Sequence, residues 1–197
     1  EWNSIVEESG EINVPKGVTK AGGKAVAFTS LDGAPDERSR RMTGMAELDR
    51  VCGGGMVPGS ALLVGGDPGI GKSTLLLQAA AMLAKSGASV AYISGEEAVD
   101  QIRLRAARLG LADAPVDLAS ATNVRDILAA LDTAGGADVA IIDSIQTMYA
   151  DNLDSAPGTV AQVRTCAQEL IRVAKRRGVT MILVGHVTKE GAIAGPR

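Results

Sequence analysis

Gly65-Gly66-Asp67-Pro68-Gly69-Ile70-Gly71-Lys72-Ser73-Thr74 decides how this chain reads. An apolar run, Ala61-Leu62-Leu63-Val64, precedes it, and a helical pattern follows from Leu75 to Leu83. Strand, glycine-rich loop and helix is the context in which G-x-x-x-x-G-K-[ST] marks a phosphate-binding loop, with Gly66, Gly71, Lys72 and Ser73 at the fixed positions. Glycines let the backbone curl so that several N–H groups point at one phosphate. The next helix adds the positive end of its dipole. Lys72 would reach the β- and γ-phosphates and Ser73 would hold Mg²⁺, with Asp67, Pro68, Gly69, Ile70 and Thr74 completing the cradle. The plain alternative is a surface turn that happens to hold Gly, Lys and Ser, and the flanking strand and helix count against it.

Bulk composition sets bounds. The 197 residues suit one α/β domain with an extension, and 46% apolar with 22% charged residues is ordinary for a globular chain. Aromatic residues are only 2%, so the core must be aliphatic and alanine-rich, and few rings remain to stack on bases. A net charge of −3 argues against a chain coated with a nucleic-acid patch but leaves room for a local basic ridge. Cys52 and Cys166 are far apart, without a Cys-x-x-Cys partner, and read as buried thiols in a reducing compartment rather than a zinc site. No secretory signal or membrane-length apolar run occurs, which points to a cytoplasmic protein without a membrane partner. The chain begins at Glu1 rather than Met and stops at Gly195-Pro196-Arg197 without a closing element, as a piece excised from a longer protein would.

Residues 1–41 are weakly patterned. Ile12, Val14, Val18, Val26 and Phe28 suit short strands, but Pro15, Gly17, Gly22 and Gly23 interrupt them, and Arg38, Arg40 and Arg41 close the region as a basic cluster. A solvated linker is favoured here over a binding arm. Residues 43–52 read as a short helix that Thr43 could cap, stopped by Gly53-Gly54-Gly55. The helix over 72–85 is apolar nearly all round and should be buried. A strand at 89–94 follows, then a helix with Ile102, Ala106 and Leu109 inward and Arg103, Arg105 and Arg108 mostly outward. A short strand at 116–118, a helix capped by Asn123, a fully apolar strand at 139–143, a polar loop at 149–159, a long amphipathic helix and a last strand at 179–184 complete the pattern. Strands that are apolar runs, alternating with helices, specify an α/β fold with a mostly parallel sheet covered on both faces.

Ligands of such sheets bind outside the carboxyl ends of the strands, and the loop, Glu96, Asp143 and His186 all fall at such ends. Asp143 can accept from Mg²⁺-bound water or from Ser73; an ordinary strand-end aspartate is the alternative. Glu96 can orient and deprotonate an attacking water, with Glu97 as support, although either acid could simply cap the helix that follows. His186, the only histidine, suits a γ-phosphate sensor, and no second histidine or paired thiol accompanies it to make a metal site. The polar segments 149–159 and 187–197 are either coupling loops or plain connections.

The order Thr43-Gly44, Glu47-Leu48-Asp49-Arg50-Val51, Gly53-Gly54-Gly55, Pro58-Gly59-Ser60 and then the phosphate loop is similar to the RecA-type ATPase core. Tyr92-Ile93-Ser94-Gly95-Glu96-Glu97, Ile142-Asp143-Ser144-Ile145-Gln146-Thr147-Met148, Val184-Gly185-His186-Val187-Thr188-Lys189-Glu190-Gly191 and Ala194-Gly195-Pro196-Arg197 resemble the bacterial RadA (Sms) branch-migration family more specifically. The match covers roughly 43–197, and Trp2-Asn3-Ser4-Ile5-Val6-Glu7-Glu8 looks like the stretch after that family's four-cysteine zinc module. That module, the Lys-Asn-Arg-Phe-Gly motif and the Lon-protease-like domain of the family do not occur in this chain.

The resemblance implies a RecA-like P-loop domain over 42–197, truncated on its C-terminal side, with 1–41 as an extension after the zinc module. It implies a DNA-dependent ATPase of recombinational repair that drives branch migration, using ATP (or dATP) and Mg²⁺, with zinc confined to the absent module. It further implies a ring, a hexamer, on single-stranded or branched DNA, working with a recombinase of the RecA type. Glu96 matches the catalytic glutamate, His186 the sensor position, and 149–159 and 187–197 the DNA-facing loops. The phosphate loop then supplies half of a site that a neighbouring subunit completes. The competing reading is a nucleotide-binding oligomeric regulator or phosphotransferase on the same core.

Overall fold

Five strands and five α-helices alternate among the described residues of the computed structural model, which are 27, 28, 30–32, 40–133 and 136–186. In chain order they are α1 (Ala46–Val51), β1 (Ala61–Gly66), α2 (Lys72–Lys85), β2 (Val90–Ser94), α3 (Val99–Arg108), β3 (Val116–Ser120), α4 (Val124–Leu131), β4 (Val139–Asp143), α5 (Val160–Arg177) and β5 (Thr180–His186). A 3-10 turn, Ile145–Thr147, follows β4. The strands form one parallel sheet in the order β1-β5-β4-β2-β3.

Side-chain alternation divides the core between the two faces of the sheet. Ala140, Ile142, Met181 and Leu183 pack with Val124 and Ile127 of α4 and with Val163, Cys166 and Leu170 of α5. Val139, Ile141, Ile182 and Val184 pack with Leu76, Leu77, Ala80 and Leu83 of α2 and Ile102 of α3. The core is aliphatic and alanine-rich, as the scarcity of rings requires. Among the described residues its one aromatic member is Tyr92, fully buried on β2. Each Leu or Ile so buried contributes about 1.5–3 kcal/mol relative to exposure.

The helix at 72–85 and the Asn123 cap stand as the sequence indicates, the Asn123 side chain accepting from the Arg125 N–H; α5 stops at Gly178, left-handed at φ 73°. Some local readings change. Thr43 does not cap α1, whose N-cap is Met45 without a side-chain bond. Instead the buried Asp49 carboxylate accepts from Thr43 N (2.7 Å), Thr43 Oγ1 (2.8 Å) and Gly44 N (3.0 Å), folding the approach to the helix back onto it. Arg105 does not point outward; its side chain is 15% exposed and pairs with Glu97 at 2.7 Å. Cys166 is buried and burial pushes its thiol up to about 11, whereas Cys52 is only half-buried. Arg40 and Arg41 are fastened to the core: Arg40 donates to the carbonyls of Cys52 and Gly55, and Arg41 to Asp138 at 2.6 Å.

The chain divides into two units, Glu1–Glu37 and Arg38–Arg197. Phe28, in the first, is 96% exposed and in no strand; the readings at Ile12, Val14, Val18 and Val26 lie outside the described residues, as does the segment 187–197. Among the described residues no helix is long and apolar enough to cross a membrane.

Candidate active site

The phosphate loop leaves the carboxyl end of β1 and enters α2 through two left-handed glycines, Gly69 at φ 79° and Gly71 at φ 101°. Gly71 is the N-cap of α2, so no side chain satisfies the first helical N–H groups, and no acid lies in the first turn. Those amides and the helix dipole form a ready anion site. Lys72 is 8% exposed, and its ammonium donates to the carbonyls of Gly66 and Asp67, both at 2.8 Å, bracing the loop across its mouth. Asp67, Pro68, Gly69 and Ile70 are exposed, while Ser73 and Thr74 are half-buried at the helix start.

Strand register gathers the other candidates. Gly66 of β1 pairs with His186 of β5, and Asp143 of β4 pairs with Ser94 of β2. Adjacent strands lie about 4.8 Å apart, so four neighbouring strand ends face one edge. Glu96 lies two residues beyond β2. Its Oε1 accepts from the Ser144 hydroxyl at 2.5 Å and lies 3.1 Å from His186 Nε2. A carboxylate only accepts, so the Nε2 that faces it carries a ring proton; Nδ1 is buried without a partner among the described residues. Burial alone would push the Glu96 carboxyl up. The bonds from Ser144 and His186, with the charges of His186 and Lys72, outweigh it and hold the carboxyl below the ordinary glutamate value.

The neighbouring acid has a different environment. Glu97 forms a two-point pair with Arg105 of α3, and its amide, like that of Glu96, bonds Ser94 Oγ. Of the two acids the sequence leaves open, Glu96 is the one held among Ser144 and His186, and Glu97 is tied to a helix.

Asp143 is buried, and its Oδ2 accepts from the Tyr92 hydroxyl at 2.5 Å. Burial, reinforced by the Asp143 charge, drives the Tyr92 phenol far above its usual value, so it remains a neutral donor. Tyr92 holds one oxygen of Asp143 and leaves the other without a partner among the described residues. A buried carboxylate and a serine hydroxyl are hard oxygen donors of the kind Mg²⁺ takes with nucleotide phosphates. No group of three or more His, Cys, Asp or Glu residues that could hold a metal occurs among the described residues.

Four residues that matter here are given no role by the sequence, although Tyr92, Gly95 and Ser144 lie within strings that resemble the family. Ser144 and Tyr92 act through partners 48 and 51 positions away, so only folding reveals them. Gln162 of α5 is buried, and the loop 149–159 wraps its amide: Oε1 accepts from Ala150 N at 2.9 Å and Nε2 donates to Ser155 O at 2.9 Å. Gly95 is required by space rather than by conformation. A Cβ there would stand 2.1 Å from Thr147 Oγ1 and 2.9 Å from Thr147 Cβ, and Thr147 in turn anchors the Ser144 carbonyl at 2.8 Å. Gly95→Ala is therefore expected to cost about 1–3 kcal/mol in a denaturation midpoint, as overpacking does, and to lower turnover by moving Glu96 off Ser144. Wild-type stability and turnover in that variant would remove the close approach from the account.

Comparison with known proteins follows the same outline. Residues 34–192 match a family model described as an AAA domain. DNA repair protein RadA of Brucella abortus is 57% identical over 205 residues, covering 100% of this chain and 44% of that protein. The Bacillus subtilis protein of the same name is 46% identical over 203 residues, covering 100% of this chain and 43% of its own length. The chain thus spans less than half the length of the curated relatives it matches. Among solved structures, a DnaB-like replicative helicase, determined with its interactions with primase, superimposes at a TM-score of 0.65. At 16% identity over 77% of this chain and 44% of that one, it shows a shared fold, the RecA-like P-loop ATPase domain.

Proposed function

The chain belongs to the AAA domain family, with DNA repair proteins RadA as relatives along its whole length, and we propose that its site hydrolyses ATP to drive a DNA-dependent motor in recombinational repair. The observation that carries the reading is the Glu96 carboxylate, held by Ser144 and His186 at the strand edge where the phosphate loop opens. Lys72 and the amides at the start of α2 bind the phosphates of ATP or dATP. Glu96 orients a water and takes its proton; its second oxygen has no partner among the described residues. Ser73 and Asp143 would hold Mg²⁺, which offsets phosphate charge when bound. His186 is the last residue of β5, and the segment 187–197 follows it in the sequence, which makes His186 the candidate for coupling Glu96 to that segment. The relatives' name supports a role in DNA repair; the resemblance of the sequence motifs extends the proposal to branch migration on single-stranded or branched DNA, as a hexameric ring beside a RecA-type recombinase.

A second reading has one observation in its favour. The loop 149–159 carries Asp151 and Asp154 and no Lys or Arg, which is a poor surface for DNA phosphates. On that reading the domain is a nucleotide-binding oligomeric regulator or phosphotransferase. ATP turnover of the full-length protein, with and without single-stranded or branched DNA, separates the two. The motor predicts stimulation that fades as salt rises, because phosphate contacts release counterions. Turnover indifferent to DNA at low salt would sink it.

A further inference from the structure

We propose that Ser144 is a positioning residue for the Glu96 carboxylate, fixing the base before any nucleotide arrives; this rests on the hydrolytic reading of Glu96. Ser144 is fully buried, and its single hydroxyl proton goes to Glu96 Oε1 at 2.5 Å. Among the described residues nothing else holds the Glu96 side chain except His186, which meets the same oxygen. The Glu96 main chain is tethered separately, by its N–H to Ser94 Oγ at 3.2 Å. That bond fixes the backbone but leaves three side-chain torsions free, and the side chain is 40% exposed. A glutamate in that setting samples many rotamers, at a conformational cost of up to about 2 kcal/mol when one is selected. Two donors on one oxygen select one rotamer and aim the other oxygen outward.

Ser144 is itself held. Its carbonyl accepts from the amide of Thr147 at 3.2 Å and from Thr147 Oγ1 at 2.8 Å, so the 3-10 turn after β4 is closed on it. The Gly95 amide donates to the Asp143 carbonyl at 2.8 Å, locking the ends of β2 and β4 together one residue from each partner. Ser144 thus carries the rigidity of the sheet into a half-exposed acid, whereas His186 is the partner supplied by the carboxyl end of β5. Among the described residues the Ser144 hydroxyl has no hydrogen-bond partner other than Glu96.

The test is Ser144→Ala in the full-length protein, alone and on a Glu96→Gln background. Alone, it is expected to lower kcat about tenfold to a hundredfold, as a base displaced by an ångström does, with KM and the affinity for a non-hydrolysable ATP analogue little changed. Loss of the hydroxyl also removes a bond that stabilises ionised Glu96, so the acid limb of the pH profile should move to higher pH; His186 and Lys72 are the ionisable groups that still face it. On the Glu96→Gln background it should cost nothing further. Unchanged kcat, a fall in nucleotide affinity that accounts for the lost turnover, or a full additional loss beside Glu96→Gln would overturn the assignment. Full turnover in Glu96→Gln alone would instead sink the hydrolytic reading. Should Ser144→Ala fail to fold, Ser144→Thr, which returns the hydroxyl, decides: turnover retained supports the role, and turnover lost with nucleotide still bound overturns it.

Discussion

Glu96→Gln in the full-length protein is expected to bind ATP with near wild-type affinity and to hydrolyse it about 100- to 10,000-fold more slowly, the span that general-base catalysis contributes. The substitution is nearly isosteric. The amide oxygen still accepts from Ser144 and His186, so the strand ends stay joined. What disappears is the capacity to take a proton. Equilibrium binding of a non-hydrolysable analogue, set beside single-turnover hydrolysis, reads the two effects separately. If Glu97→Gln were the slow variant and Glu96→Gln the normal one, the assignment would be reversed. The geometry speaks against that outcome, because Glu97 is committed to Arg105 and its replacement should show in stability before chemistry. The sign of the pH dependence follows as well. The Glu96 carboxyl is depressed in the folded chain, so its ionised form and the stability it confers are present above the ordinary value of about 4.3 and lost as pH falls through the depressed one. A loss of kcat/KM that sets in above that value belongs to another group.

The sequence displays the layers of this fold because the parallel strands are buried on both faces and read as unbroken apolar runs, Val139 to Ile142 most plainly. The phosphate loop is legible for a related reason: its glycines and lysine are local requirements, met within ten residues. Contacts that cross the sheet are not legible in that way. Arg105 looks outward on a helical projection, yet an ion pair with Glu97 eight positions back draws it in. Thr43 has the chemistry of a cap, but its hydroxyl accepts from the Met45 N–H and donates to the buried Asp49 carboxylate, ahead of the helix whose N-cap is Met45. Ser144, Gln162 and Tyr92 are unremarkable as letters and become informative only through partners brought to them by folding. Gly95 is the instructive case: nothing beside it in the chain asks for glycine, and the reason is a threonine 52 positions later.

Lys72→Ala should be the most damaging change for binding. The ammonium is buried beside its loop and holds two carbonyl oxygens, so its removal costs the site twice. The incoming phosphates lose a cation, and the Gly66 and Asp67 carbonyls lose the donor that braces them. Truncating one member of a buried, hydrogen-bonded charge pair costs about 2–5 kcal/mol, which is roughly thirtyfold to several thousandfold in affinity. Lys72→Arg should not rescue, because a planar guanidinium cannot meet two carbonyls and a phosphate from one point. The core should survive: the side chain leaves the hydrophobic cluster of α2 untouched, and Leu76, Leu77 and Leu83 keep their contacts. Titration with a fluorescent ATP analogue and a thermal melt on the same sample separate these terms. Weakened binding with a melting point within a few degrees of wild type is the expected pair. Undiminished affinity would mean that the helix amides alone hold the phosphates, and Lys72 would then have to be assigned to holding the loop in shape rather than to the nucleotide.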